Sequence, residues 1–336
     1  MSANRTPDTD DVRTPVERKV QIAGNSTFVV SLPKEWATEQ GLESGSSMFL
    51  YPLEDRLVAA AGTVSCRDRS VAIDAEPIDD ESVLQRARAA YLAGYDRITV
   101  ENADALEPDA RRTLERAIGR LVGMEIETVA ADALTATSVL DVGEVSLPQT
   151  VAQARQLALE MHEDAVRAVR DDDEDLARRV IGRDDDVDRL FAFVSRGFHR
   201  GLEDVHEIDR LGTDRTAAFR QYRIARQLER VADHAERIAE VPARQSSPPE
   251  AELADRLETI GGDARRVVEL ALADEIEPAL SARSEVRRSI SELDRRLYDR
   301  GGSDAFLYGT VLRSLERTAE IGGNVARATA ESTIDE

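Results

Sequence analysis

The period of the apolar positions changes twice along the chain, and the changes divide it into three parts. From Val16 to about Gly62 apolar and polar residues alternate in short runs, the pattern of half-buried strands. Between residues 68 and 143 short alternating runs take turns with longer stretches of helical period. From Leu147 to the end the period is helical throughout, broken at Arg244-Gln245-Ser246-Ser247-Pro248-Pro249, which reads as a linker. Residues 1–14 carry Pro7, three aspartates and no period, and are expected to be a disordered lead.

In the first part, Glu17–Ile22 and Ser26–Leu32 read as strands joined by the turn Ala23-Gly24-Asn25. Pro33 then opens a short helix over Lys34–Gln40, and Gly41 ends it. Ser46–Tyr51 and Arg56–Ala61 make a second hairpin across Pro52–Asp55. Residues 15–62 are thus expected to form a β-β-α-β-β head. A unit this short cannot bury a sufficient core alone, so a second copy is expected, by exchange of hairpins in a homodimer.

In the second part, strands are expected at Val71–Asp74, Asp96–Val100, Glu125–Ala130 and Thr135–Asp141, and helices at Asp80–Ala93 and Pro108–Val122. Gly94 and Gly123 stand where a left-handed residue ends a helix. The result is a small α/β layer over 68–143, read as a spacer or an extra dimerisation surface. In the third part six helices are expected: Leu147–Arg170, Asp173–Val205, Thr213–Val241, Glu250–Ala273, Glu275–Arg300 and Ser303–Glu331. Leu228-Glu229-Arg230 and Ala232-Asp233 return as Leu315-Glu316-Arg317 and Ala319-Glu320, the mark of two copies of one helical unit. Two three-helix bundles, 147–242 and 249–333, follow.

Composition narrows the setting. The net charge is -22 with 33% charged residues, and lysine occurs only at Lys19 and Lys34. An acidic, lysine-poor surface suits a cytoplasm of molar salt, as in a halophile; a GC-rich genome also favours arginine over lysine. One cysteine, Cys66, leaves no partner for an internal disulfide and fits a reducing compartment. The N-terminus lacks the apolar core of a signal peptide, and no apolar run reaches the roughly 18 residues of a membrane span, so a cytoplasmic location without membrane insertion is expected.

Glu229 and Asp233 are four apart on one helical face, where like charges repel. Two answers are open: the flanking Arg226, Arg230 and Arg237, or a bound cation. Hard cations and iron take clustered carboxylates. No nucleophile–base set and no cofactor loop stands out, so an enzyme is not expected. Cys66 is read as unreactive and Trp36 as core; His162, His199 and His206 receive no role, and His234, adjacent to the motif but off its face, is a lesser ligand candidate.

Two resemblances sharpen this. Arg18-Lys19-Val20, Gly24-Asn25-Ser26, Val30-Ser31-Leu32-Pro33-Lys34-Glu35 and the Gly41-Leu42…Gly45 turn resemble the swapped-hairpin DNA-binding family of AbrB, SpoVT and MazE. That implies a dimer contacting promoter DNA through Arg18, Lys19, Asn25 and Lys34. The helical part resembles PhoU, the phosphate uptake regulator, whose repeated bundles carry an E/D-x-x-x-D motif. Leu228-Glu229-Arg230-Val231-Ala232-Asp233-His234-Ala235 matches it closely, and Asp184 with Asp188 matches the partner motif. The resemblance implies a divalent metal or an iron cluster at Asp184, Asp188, Glu229 and Asp233. In the second copy Glu316 is kept, Glu320 replaces the aspartate, and the preceding helix has no clean partner motif, so metal there is in doubt. The combined arrangement is associated with haloarchaeal proteins. It implies a DNA-binding regulator of phosphate homeostasis and transport; the alternative is an adaptor that dimerises through its head and restrains a phosphate ABC transporter by contact with its ATPase.

Overall fold

The computed structural model describes residues 15–24, 27–53, 56–61, 69–130, 132–139, 146–203, 207, 211, 213–300 and 304–333. Asn25, Cys66 and His206, singled out above, lie outside the described residues, as does the lead over 1–14. The chain separates into two compact units, Met1–Arg67 and Asp68–Glu336.

The first unit holds two antiparallel hairpins and one short helix. β1 (Gln21–Ala23) pairs with β2 (Thr27–Val29), and β3 (Met48–Leu53) with β4 (Arg56–Ala61). Between them lies α1 (Lys34–Glu39). The first hairpin is shorter than the alternation predicts: only three residues of each strand pair. In the second the strands keep their expected length, but its first strand is shifted by two residues, since pairing runs from Met48 through Pro52 to Leu53, opposite Arg56. No described side chain of this unit is buried. Ile22, Phe28, Val30 and Leu50 are each more than half exposed, and Trp36 is only half-buried rather than core.

The second unit begins with a four-stranded sheet in the order β5-β6-β8-β7. β5 (Ser70–Asp74) and β6 (Arg97–Glu101) are parallel, connected by α2 (Asp80–Leu92). α3 (Pro108–Arg120) leads to the antiparallel pair β7 (Met124–Val129) and β8 (Ala133–Ser138). Asp79 caps α2 by accepting the backbone N–H of Ser82 at 2.9 Å. Ile73, Ile98, Val100, Leu134 and Ala136 face α2 and α3 in one core, with Tyr91 donating its hydroxyl to the Val122 carbonyl at 2.9 Å.

Six helices follow: α4 (Leu147–Asp171), α5 (Glu174–Glu203), α6 (Arg215–Ala239), α7 (Ala251–Leu272), α8 (Ile276–Arg300) and α9 (Ala305–Thr333). They form two triplets, but not two cores. One apolar core runs from Leu147 and Met161 through Leu228 and Ile238 to Leu257, Leu312 and Leu315. α4 packs on α7 and α6 on α9 across the seam. The repeat shows in a detail the sequence pattern did not reveal: the first helix of each triplet gives way to an aspartate in the left-handed region, Asp172 (φ 54°) and Asp274 (φ 61°). Gly322 lets α9 approach α7 closely, since a Cβ there would lie 2.8 Å from the Val268 nitrogen.

The α/β layer is not a loose spacer. Ala192 of α5 belongs to its core. Arg196, nearly buried, donates to the Tyr95 carbonyl at 2.6 Å and to Asp96 Oδ1 at 2.9 Å. Arg200 pairs with Asp96 and, at 2.9 Å, with Glu207. Gly94 (φ 88°) is required twice here, for its conformation and because a Cβ would lie 2.6 Å from Arg200 Cγ. α5 is thereby fastened to the layer along its C-terminal half.

Candidate functional site

Helical period places Asp184 and Asp188 on one face of α5, and Glu229, Asp233 and Glu236 on the face of α6 that packs against it. The apolar residues beside them, Val187, Leu228, Val231 and Ala232, are buried and bring the two helices together. The carboxylates are carried along to the edge of that contact, where they are half-buried.

Burial and mutual repulsion then set their charge. Partial desolvation, followed by the negative charges of Glu236, Asp188, Asp233 and Asp185, pushes the Asp184 carboxyl up to about 7. Desolvation raises Glu229 as well, with Arg226 opposing and Asp233 and Asp188 adding. Asp233 and Glu236 are raised chiefly by desolvation too. Glu229 is the most confined: one oxygen lies 3.4 Å from Arg226 Nη1, and Oε2 is buried with no hydrogen-bond partner.

Help comes from the α/β layer. Arg88 on α2 donates to Asp188 Oδ2 at 2.6 Å, and Arg120 at the end of α3 pairs with Asp185. These arginines and Arg189 edge a small cleft of about 160 Å³ between the layer and α5. The donor chemistry fits a hard cation, but the placement does not: among the described residues no three His, Cys, Asp or Glu side chains gather in metal-binding geometry, and Asp188 is engaged by Arg88. Of the two answers read from the sequence, arginine is the one visible in this geometry, and its source is partly a layer the local pattern could not point to.

The second bundle arranges the same positions differently. Glu316 and Glu320 sit on α9. Arg287 from α8 approaches Glu316 to 3.9 Å, and Arg317 reaches Glu320 at 2.6 Å. Where the first copy has Glu236, the second has Gly323, covered by the Arg283 side chain.

In the first unit Arg18, Lys19 and Lys34 are exposed, and Arg18 donates to the Glu17 carbonyl at 3.0 Å. The structure also draws attention to a residue that received no role. His162 is fully buried in α4, and neither ring nitrogen has a hydrogen-bond partner among the described residues. Desolvation, then Arg265 and His234, push it down to about 3. The signal the sequence offered was spacing: His162 stands four residues after Ala158 and three and four before Ala165 and Val166, on the buried face of α4.

Residues 151–241 match the family model described as PhoU domain; the second bundle lies outside the matched residues. No curated protein matches the chain. Among solved structures, the chain is similar to the phosphate transport system regulatory protein PhoU from Streptococcus pneumoniae, at 17% identity and a TM-score of 0.45, over 58% of this chain and 96% of that one. It is likewise similar to PhoU from Pseudomonas aeruginosa, at 20% identity and a TM-score of 0.39, over 56% of this chain and 96% of that one. The segment that carries Asp184, Asp188, Glu229 and Asp233 is therefore the segment in which this chain matches the PhoU domain.

Proposed function

We propose that the chain regulates phosphate uptake and phosphate homeostasis, with a dimeric DNA-binding head over 15–62 and helical bundles that sense phosphate or transporter state. The PhoU domain match over 151–241, with both acidic pairs of the first bundle inside it, carries the reading. The head adds support of a different kind. A unit with no buried side chain among its described residues, and with Ile22, Phe28, Val30 and Leu50 exposed, favours a second copy against its strands. Arg18, Lys19 and Lys34 are exposed on that unit and available to phosphates or base edges.

Salt weakens phosphate contacts steeply, so in a salt-rich cytoplasm such a head relies on base edges and shape. The test is retention of genomic DNA fragments by the intact protein in concentrated KCl, beside the double variant Lys19→Ala/Lys34→Ala. Enrichment of a discrete set of promoters by the intact protein and not by the variant supports the regulator. A second reading is favoured by the same exposed strands, which call for a partner copy whether or not DNA is bound: an adaptor that dimerises through its head and restrains a phosphate ABC transporter by contact with its ATPase. No enrichment by a folded dimer, together with retention of the ATPase on the immobilised chain, selects the adaptor.

A further inference from the structure

α4 and α7 meet across the seam between the bundles. Gly261 makes the close contact: a Cβ there would lie 3.0 Å from Val166 Cγ2. Beside that contact is a cavity of about 280 Å³, lined by Glu163, Val166, Arg167 and Arg170 from α4 and by Glu258 and Arg265 from α7. The four α4 residues are spaced three and four apart and share a face, with buried Val166 as the floor.

Two of the three guanidinium groups are matched within the chain. Arg167 donates to Asp164 at 2.5 Å, and Arg170 to Asp171 at 2.7 and 2.9 Å and to Glu258 at 2.9 Å. Arg265 is not. Its side chain is 18% exposed, and the one carboxylate it meets among the described residues, Glu163, is 3.9 Å away, beyond hydrogen-bond reach. A guanidinium that lines a cavity and reaches no carboxylate at hydrogen-bond distance among the described residues keeps its donors for a ligand or water. The His162 ring, which feels the Arg265 charge, is a second polar group at this seam for which the protein supplies no partner.

We infer that this cavity is a phosphate site, with Arg265 as its principal donor and Arg167 and Arg170 at its rim. The guanidinium fork matches two oxygens of a tetrahedral oxyanion, and the arginines of the lining outnumber its glutamates, a balance that disfavours a cation. Glu163 and Glu258 give the site its choice among oxyanions. A carboxylate accepts the O–H of hydrogen phosphate but repels fully deprotonated sulfate. Bound there, the ion joins Arg167 and Arg170 of the first bundle to Arg265 of the second, and so ties the bundles across their seam. The site stands on these residues alone; only its role as effector rests on the regulatory reading above.

The test is calorimetric titration of the full chain with inorganic phosphate at fixed KCl, with sulfate and adenosine monophosphate as separate arms. One phosphate per chain is expected. Arg265→Gln, shown folded by its melting curve, weakens binding at least tenfold, and Arg265→Lys, which keeps the charge but loses the fork, weakens it less. Glu163→Gln, at an exposed position, lets sulfate bind within a few-fold of phosphate. Preference for the free ion or for the nucleotide identifies the source of the phosphate group. Absence of phosphate binding, or equal binding by folded Arg265→Gln, overturns the site, and sulfate equal to phosphate in the unaltered chain overturns its selectivity. None of these outcomes bears on DNA retention or ATPase contact, so the two readings fail separately.

Discussion

In the first bundle Asp184 and Asp188 on α5 come within electrostatic range of Glu229 and Asp233 on α6; in the second, Arg287 on α8 approaches Glu316 on α9. The same helical plan thus opposes acid to acid in one copy and arginine to acid in the other. The first bundle leaves Asp184 with its proton held up to about 7 and one Glu229 oxygen without a partner. It also carries a separate α/β layer, whose Arg88 and Arg120 reach the acidic face of α5. The second bundle answers its acids with arginines of its own helices. The lesson is that a repeat preserves apolar spacing more readily than electrostatics. Packing requires the spacing, while half-exposed charges can change at little cost to stability.

The comparison breaks most visibly at the clamp that only the first bundle has. Asp96→Ala leaves Arg196 with an uncompensated buried charge, while Arg200 keeps Glu207, at a cost of about 3–5 kcal/mol. Hydrogen exchange is expected to rise in α2 and α5 while α8 and α9 keep their protection; uniform loss throughout the helices would show that the bundles do not differ in this respect. At the second bundle the sensitive point is Gly322. Gly322→Ala gains helix propensity but sets a Cβ against the Val268 backbone, for a net loss of about 1–3 kcal/mol. Denaturant midpoints measure it, and exchange in α7 and α9 localises it.

The seam supplies a pH test. His162 is neutral in the fold, with its pKa moved from 6.5 to about 3. Its contribution is complete above the unfolded value of 6.5 and is lost as pH falls towards 3. His162→Leu removes two unpartnered polar atoms, is expected to stabilise by about 1 kcal/mol at neutral pH, and flattens the decline in melting temperature between those limits. The smallest effect is the one that makes the bundles alike. Asp184 has a raised folded pKa, so its contribution is complete below 3.8 and is lost as pH rises through about 7. Asp184→Asn should match the parent near pH 4 and exceed it above neutrality, by no more than about 1 kcal/mol after solvent screening. Asp184→Arg, which copies the charge pattern of the second bundle, should stabilise further. A variant less stable than the parent at high pH would mean that the acids are satisfied by a bound cation.

Legibility varied with the range of the interactions concerned. The helices over 147–333 and the α/β alternation were visible because period and caps are local: the glycines expected to end helices, Gly94 and Gly123, have φ of 88° and 75°. The meeting of Asp184 with Asp233, and of Asp188 with Glu229, was visible only through resemblance, since the residues lie on different helices. Arg88, a hundred residues from Asp188, carried no signal at all. Trp36, read as core, is only half-buried, because no described side chain of the first unit is buried in a single copy.

By itself the sequence determined the order of strands and helices, the duplication of the helical unit and the acidic faces on α5 and α6, because each follows from the spacing of neighbours along a few turns. Tertiary structure alone decided that both bundles share one core, that the α/β layer is clamped to α5, and that Arg265 lines a cavity with no hydrogen-bonding carboxylate among the described residues. Those outcomes depend on which faces meet, and burial turns the meeting into energy. A carboxylate on an isolated helix is ordinary; the same group half-buried beside four others holds its proton near neutrality.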